Sequence, residues 1–383
     1  MYSRQLFVCG LIISCIIILS QCIGRKVETD IRGEQYAVAT SCATCHKSIW
    51  DTYLASAHNN TSGLASISNV SGSFLPPDNV FHYSNGSKVT MEQRDSGLFQ
   101  GTYRFDITIG SGRKAQTYLY WKEGKYFQLP VSYFVPARQW ANSPGFPATH
   151  PKFDRLIPGT CFGCHSSMVA LKEVKMEKLH IAEEFERNKM VFGIDCQRCH
   201  GPAAEHVQFH TEHPEEKDGR YMVRVRALGN QQQLDMCAIC HSGLKTPQKA
   251  PFGFRPGDAL SDYFYPDLSR PVKATEMDVH GNQYQLLSAS ECFIKSKGIM
   301  NCSTCHDPHT NERSNMQVFS RRCMNCHRSV EHKNTAVLTE NCIDCHMPAL
   351  PSSAITLLTK GQASPTPDSV RTHLIAIYTR LSQ

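Results

Sequence analysis

The apolar and polar positions of this 383-residue chain fall into stretches of different period. After Arg4 comes a nearly unbroken apolar run, Leu6–Leu19, closed by Ser20-Gln21-Cys22. A short basic start before an apolar core reads as an export signal. Ser48–His58 carries Trp50, Tyr53, Leu54 and Ala57 at helical spacing. Phe99–Ile109, Ala115–Trp121 and Tyr126–Phe134 are rich in Tyr, Phe, Thr and Ile and partly alternate, with turn residues at Gly110–Arg113 and Lys122–Lys125 between them, which predicts an antiparallel β unit. Pro136–Pro158 is a proline-rich connector. Met168–Phe192, rich in Lys and Glu, predicts an amphipathic helix, and His206, His210 and His213 recur on one helical face. Leu244–Gly298 is punctuated by Pro and Gly, with a short helical stretch at Gln283–Lys297. The expected fold is mainly α with extensive loops, plus one small antiparallel β insertion.

The polar remainder is organised by a repeat. Cys-x-x-Cys-His occurs seven times: Cys42/Cys45/His46, Cys161/Cys164/His165, Cys196/Cys199/His200, Cys237/Cys240/His241, Cys302/Cys305/His306, Cys323/Cys326/His327 and Cys342/Cys345/His346. With 18 Cys and 18 His in the chain, chance supplies roughly 0.04 copies of such a motif. The spacing suits covalent haem c. Two thiols on one turn reach the two vinyl groups of one porphyrin, and the next residue offers an imidazole to the iron. Structural zinc wants four protein ligands, usually from paired knuckles. Here each Cys pair has its own adjacent His and no matching second knuckle. Seven haem c groups are therefore expected, with the α-rich fold organised around them.

The repeat divides the chain. Residues 1–22 form a signal or lipoprotein segment, 36–63 the first haem site, 66–158 the β-rich insertion, 159–246 sites two to four, 247–300 a connector, and 301–383 sites five to seven with the tail. The last three motifs start 21 and 19 residues apart, too close for separate cores. Fourteen of the 18 cysteines belong to motifs, which leaves Cys9, Cys15, Cys22 and Cys292. Cys9 and Cys15 lie in the signal. Cys22 ends a lipobox-like Leu-Ser-Gln-Cys and is the expected lipidation site, with an uncleaved anchor or plain secretion as alternatives. Cys292 is then alone and reads as a small apolar residue. All three processing routes place the rest of the chain outside the cytoplasm, in the periplasm or at the cell surface, and the first two hold it to the membrane by an N-terminal lipid or anchor.

Charge changes little of this. The formal net charge is +6, but fourteen propionates and seven ferric centres bring the mature oxidised form to about −2 and the reduced form to about −9. The basic residues are expected to partner propionates, and no stretch is suited to nucleic acid.

Several segments together carry a family likeness: Ser41–His58, Ile107–Gly145 with Ile109–Arg113 and Phe127-Gln-Leu-Pro130, Gly193–His206, Phe254–Asp258 (Phe-Arg-Pro-Gly-Asp), Cys302–His309, Asn341–Pro348 and His373. In these the chain resembles the multihaem cytochrome c family that includes the tetrahaem electron acceptor of hydroxylamine oxidoreductase, and more closely its longer Bacteroidota-type seven-haem relatives. The resemblance implies electron transfer through bis-histidine haems. It supplies no substrate.

Seven histidines are the expected proximal ligands, and His58, His206, His309 and His373 the expected distal ones. The first three follow a motif, and His373 lies in the family-like tail. His58 is twelve residues past His46, about 18 Å along a continuous helix, so it is aimed at another haem. His309 follows His306 by three residues on the same side of its ring and is likewise expected to reach a neighbour. His280 and His332 rank next, while His82, His150 and His180 read as ordinary surface or turn residues, and His210 and His213 as a solvated helix flank in preference to an extra metal site. Two functions remain. One is an electron carrier with redox partner proteins as donor and acceptor. The other is a reductase or oxidase of a small nitrogen or sulfur compound at one open haem. No Cys-x-x-Cys-Lys variant is present and no acid/base cluster stands beside a motif, which favours the carrier and assigns no catalytic residue.

Overall fold

The computed structural model describes residues 29–177, 180–243, 246–265, 273–275, 277, 281–332, 335–338, 340–359, 362 and 364–378. The signal segment, with Cys9, Cys15 and Cys22, lies outside them, as does His280.

The architecture is mixed, not mainly α: 26% helix against 27% strand. The strands, in chain order, are β1 (Ser62–Leu64), β2 (Val80–His82), β3 (Lys88–Arg94), β4 (Gly97–Gln100), β5 (Tyr103–Arg104), β6 (Ile107–Ile109), β7 (Ala115–Lys122), β8 (Lys125–Gln128), β9 (Val131–Phe134), β10 (Gln139–Asn142), β11 (Arg155–Leu156), β12 (Ser166–Glu177), β13 (His180–Phe192), β14 (Ala349–Thr359) and β15 (Thr366–Arg371). One sheet runs β1-β6-β7-β9-β10-β14-β15, with β8 joining β7 to β11. A second runs β2-β3-β4-β5, and β12 pairs with β13 alone. The named strands pair antiparallel.

The expected β unit is therefore much larger than a small insertion. The turns at Gly110–Arg113 and Lys122–Lys125 do join β6 to β7 and β7 to β8. The difference lies in what the unit recruits. β14 pairs with β10 in the register Ala141↔Thr359 and Asn142↔Leu358, so the chain returns to the sheet after the last motif. Ile355–Leu358 shows no clean alternation. Its strand character comes from burying Leu357 and Leu358 against residues far away in sequence.

Met168–Phe192 is the second correction. It forms the β12–β13 hairpin, not a helix. Straight-chain Lys, Glu, Leu and Met give it high helix propensity, and its charges recur as helical pairs would. In the hairpin Lys175 and Lys172 instead meet Glu184 across strands, at 3.6 and 3.4 Å, and Lys175 also lies 2.8 Å from Glu173 on its own strand. What tips the balance is the base of the hairpin. Val169, Phe185 and Met190 are buried against Ile107, Leu119, Tyr126 and Phe162. Burial of this kind contributes about 1.5–3 kcal/mol per large apolar side chain, enough to override local propensity.

The main core lies between the two larger sheets. Phe74, Phe81, Phe105, Tyr118 and Trp140 pack with Met91, Leu129 and Val131. Phe105 meets Tyr118 edge to face at 4.6 Å and 67°, an arrangement aromatic quadrupoles favour. Helices are short, and those at Ser41–Cys45, Gly159–His165, Cys196–His200, Asn230–His241, Cys302–Cys305 and Ile343–His346 carry motif residues.

Candidate functional site

Each motif occupies or closes a single helical turn. His46, His306, His327 and His346 donate their backbone N–H to the carbonyl of the first cysteine of their own motif, at 2.9, 2.9, 3.0 and 3.1 Å. That bond brings two thiols and one imidazole onto one turn. Caps place the turns. Asp195 accepts from Arg198 N at 3.0 Å ahead of Cys196–His200, and Asn301 accepts from Thr304 N at 3.2 Å ahead of Cys302–Cys305.

The fourteen motif cysteines, expected alike as attachment points, are not held alike. At Cys45, Cys161, Cys326 and Cys345 the protein leaves the motif cysteine exposed, whereas the other ten are half-buried. The cause is local. Cys45 ends the five-residue helix Ser41–Cys45, which buries none of its residues. Cys345 lies on the one-turn helix Ile343–His346, where only Ile343 is buried. Cys326 follows the helix Met316–Met324, beyond its buried Ser320. In motifs one, six and seven the first cysteine, Cys42, Cys323 or Cys342, faces the protein and the second faces outward. An outward thiol stays open to a vinyl group, so exposure changes the packing of these sites and not their attachment chemistry.

The residues between the cysteines are fasteners, a role the sequence reading missed. Buried Gln197 accepts from Ala37 N at 2.9 Å and donates to Ala37 O at 2.8 Å, so one amide clamps the segment ahead of motif one onto motif three. Arg198, also buried, donates to Gly163 O of motif two at 3.2 Å. Asp195 and Arg32 form a buried bidentate pair at 2.5 and 3.1 Å. The Gln-Arg pair in the x positions, the longest polar pair among the seven motifs, was the only local signal.

Contacts among the motifs give an order in space that differs from the order in sequence. The thiols of Cys42 and Cys196 lie side by side, joining motifs one and three. Motifs two and four face each other, with Cys164 Sγ 3.9 Å from Ile239 O and Cys240 Sγ 3.7 Å from Gly163 O. Cys237 adjoins Cys302, and Asn301 donates to Asn230 and Gln233, which joins four to five. Arg322 donates to Cys305 O at 2.8 Å, joining five to six, and Cys342 N donates to Ser320 Oγ at 3.0 Å, joining six to seven.

The imidazoles pair across motifs. His46 faces His206 with ring centroids 6.4 Å apart and planes 11° apart. His200 faces His309 at 6.2 Å and 20°, and His306 faces His373 at 6.2 Å and 30°. His241 faces His58 at 6.3 Å and 79°. Rings in van der Waals contact would lie closer. Two metal–nitrogen bonds of about 2 Å, plus about 1.2 Å from each nitrogen to its ring centre, put two axial imidazoles about 6.4 Å apart. The four gaps match a single metal centre, so the donor set fits haem iron. Burial pushes His241 and His373 down to about 4 and holds His200, His206 and His306 below their ordinary value. Desolvation thus favours the neutral ring, which keeps a lone pair for a metal.

Backbone carbonyls orient the rings. His206 Nδ1 is 2.8 Å from Arg220 O, and His346 Nδ1 is 3.0 Å from Ala376 O. Such bonds fix the tautomer and raise basicity at the other nitrogen. The structure thus brings together four imidazole pairs, each joining a motif histidine to a histidine from outside the motifs. Among the described residues no imidazole faces His327 or His346. His150 hydrogen-bonds Thr149, His210 packs on His206 at 4.6 Å, and His213 lies 3.6 Å from Glu215. His82 is exposed on β2. Cys292 is half-buried in the helix Glu291–Lys295. Among the described residues no cluster of three or more His, Cys, Asp or Glu side chains converges as a separate metal site, and no helix is long and apolar enough to cross a membrane.

Fold and site together define a class: a sheet-backed array of Cys-x-x-Cys-His turns with imidazoles facing them across metal-sized gaps. No family model and no curated protein matches the chain. Among solved structures it is similar in fold to the outer cell wall cytochrome OcwA, with a TM-score of 0.53 and 16% sequence identity over 89% of this chain and 79% of that one.

Proposed function

We propose that this chain is an exported multihaem c-type cytochrome that passes electrons between redox partner proteins. The observation that carries the reading is the set of four imidazole pairs at 6.2–6.4 Å, each joining a motif histidine to a histidine outside the motifs. The fold it shares with an outer cell wall cytochrome supports it. The fourteen motif cysteines would hold seven haems covalently, Cys45, Cys161, Cys326 and Cys345 doing so from exposed positions. His46, His165, His200, His241, His306, His327 and His346 would be the proximal ligands, and His206, His58, His309 and His373 the distal ligands for motifs one, four, three and five. Bound haem supplies a one-electron ferric/ferrous couple.

The protein's part is positioning. His206 and His346, each held at Nδ1 by a backbone carbonyl, would present the other ring nitrogen as a strong axial donor. Interlocked motifs keep neighbouring sites in contact, and buried packing limits rearrangement between oxidation states. We further propose that Cys22 carries the lipid that holds the chain at a membrane surface outside the cytoplasm. A second reading, reduction or oxidation of a small nitrogen or sulfur compound, draws on motif seven, where His346 has a held tautomer and no facing imidazole among the described residues.

Intact-mass measurement of denatured, matured protein tests the reading. The expected increment is seven haems. A chain without covalent haem would overturn it, and fewer than seven on matured protein would remove individual motifs.

A further inference from the structure

Three of the four imidazole pairs are nearly parallel, with planes 11°, 20° and 30° apart, whereas His58 and His241 stand at 79°. We infer that His58 and His241 are crossed axial ligands, which makes the site of motif four electronically distinct and gives it a higher reduction potential than the same two ligands would give in parallel. This inference rests on the haem reading above.

The physical reason is orbital symmetry. The filled π orbital of an imidazole lies perpendicular to its ring and raises the one iron d orbital that overlaps it. Two parallel rings raise the same orbital. The d pair splits, and the ferric hole settles in the raised member, which stabilises the oxidised state. Two crossed rings raise one orbital each. The pair stays nearly degenerate, the ferric state loses that stabilisation, and orbital angular momentum is not quenched. The consequences are a positive shift in potential and a very anisotropic low-spin EPR signal at low field. Parallel pairs give ordinary rhombic signals.

The crossing is built in by different elements. His58 follows the helix Lys47–Leu54, and its Nδ1 lies 3.4 Å from the carbonyl oxygen of Pro308. His241 ends the helix Asn230–His241, with the Gln283 amide beside its ring. Pro308 also precedes His309, which faces His200. One loop thus fixes His58 of the crossed pair and His309 of a parallel one. Motif four touches motifs two and five. A raised potential there places an electron sink at a junction and not at an end of the array.

The test is low-temperature EPR of the fully oxidised holoprotein, with its haem content fixed by intact mass. The expected spectrum holds a low-field, highly anisotropic signal beside rhombic ones. His58→Ala should remove that signal and create a high-spin centre. His206→Ala should leave it in place and remove a rhombic component. Fully loaded wild-type protein without the low-field signal would overturn the inference, and so would its persistence in His58→Ala. The wild-type spectrum decides even where a variant fails to mature. Protein lacking covalent haem would instead refute the underlying reading.

Discussion

The imidazole of His309 lies 6.2 Å from that of His200, although His306 is only three residues before it. Asp307 explains the direction. Its carboxylate accepts from His309 N at 3.0 Å and lies 3.1 Å from His309 Nδ1. The chain turns away at Pro308 and presents the ring to a neighbouring motif.

Changing His309→Ala should therefore spare the haem on Cys302 and Cys305 and convert the one on Cys196 and Cys199 to high spin. Loss of a strong donor should also raise that site's potential. EPR with a redox titration reads both effects. High spin at the Cys302/Cys305 site, or spectra and potentials identical to wild type, would show the pairing to be wrong.

Glu312 and Arg322 should make the C-terminal motifs acid-sensitive. Arg322 donates to both carboxylate oxygens at 2.5 and 2.6 Å, and Asp307 N donates to one of them at 3.1 Å. These bonds, the Arg322 pair foremost, hold the Glu312 carboxyl below its ordinary value. A folded-state value below the unfolded one means the stabilisation is present above the unfolded value. It is lost as pH falls through the lowered one. Glu312→Gln should cost roughly 1 kcal/mol at pH 7. The gap between variant and wild-type melting temperatures should close in acid. A gap of constant size from neutral to acidic pH would contradict this origin.

How much of this was legible in the sequence depended on range. The motifs are local and chemical, so their residues stand out by spacing alone. Spacing does not tell how each thiol is packed, and Cys45, Cys326 and Cys345 proved exposed where their partners are half-buried. His58, His206, His309 and His373 could be nominated from position, but not matched to His241, His46, His200 and His306, because each match joins segments that meet only in the folded chain. The β content failed for the same reason. Leu357 and Leu358 are strand residues because Ala141 and Asn142 are beside them. Lys172, Lys175 and Glu184 satisfy one another across a hairpin as readily as along a helix. The Gln197 clamp was hidden because an x position carries no expectation of its own.

Cys22→Ala should release the protein from membranes into the soluble fraction. Fractionation of cells expressing the variant measures this directly. Unchanged membrane retention would favour an uncleaved anchor over a lipid.

Arg32 offers the sharpest test of how the array is locked. Its guanidinium bridges Asp30 at 2.8 Å and Asp195 at 2.5 Å, and all three side chains are under a tenth exposed. Asp195 meanwhile caps the turn that carries Cys196 and Cys199. Arg32→Ala would leave two carboxylates buried without their counter-charge, a loss of about 3–5 kcal/mol for a broken buried pair. Changing Asp30 and Asp195 to Asn together with Arg32→Leu removes all the charge and should recover much of that loss. A simple surface pair would behave differently, since its removal costs about 0–1 kcal/mol and nothing needs compensating. The damage should also be local. The thiols of Cys42 and Cys196 are in contact, and Gln197 holds Ala37, so the EPR signals of the His46–His206 and His200–His309 pairs should broaden in Arg32→Ala. That of His306–His373 should not change. Thermal melts of the single and triple variants, read beside those spectra, decide the matter. A melting temperature within a degree or two of wild type in Arg32→Ala would show that the latch contributes nothing to the fold.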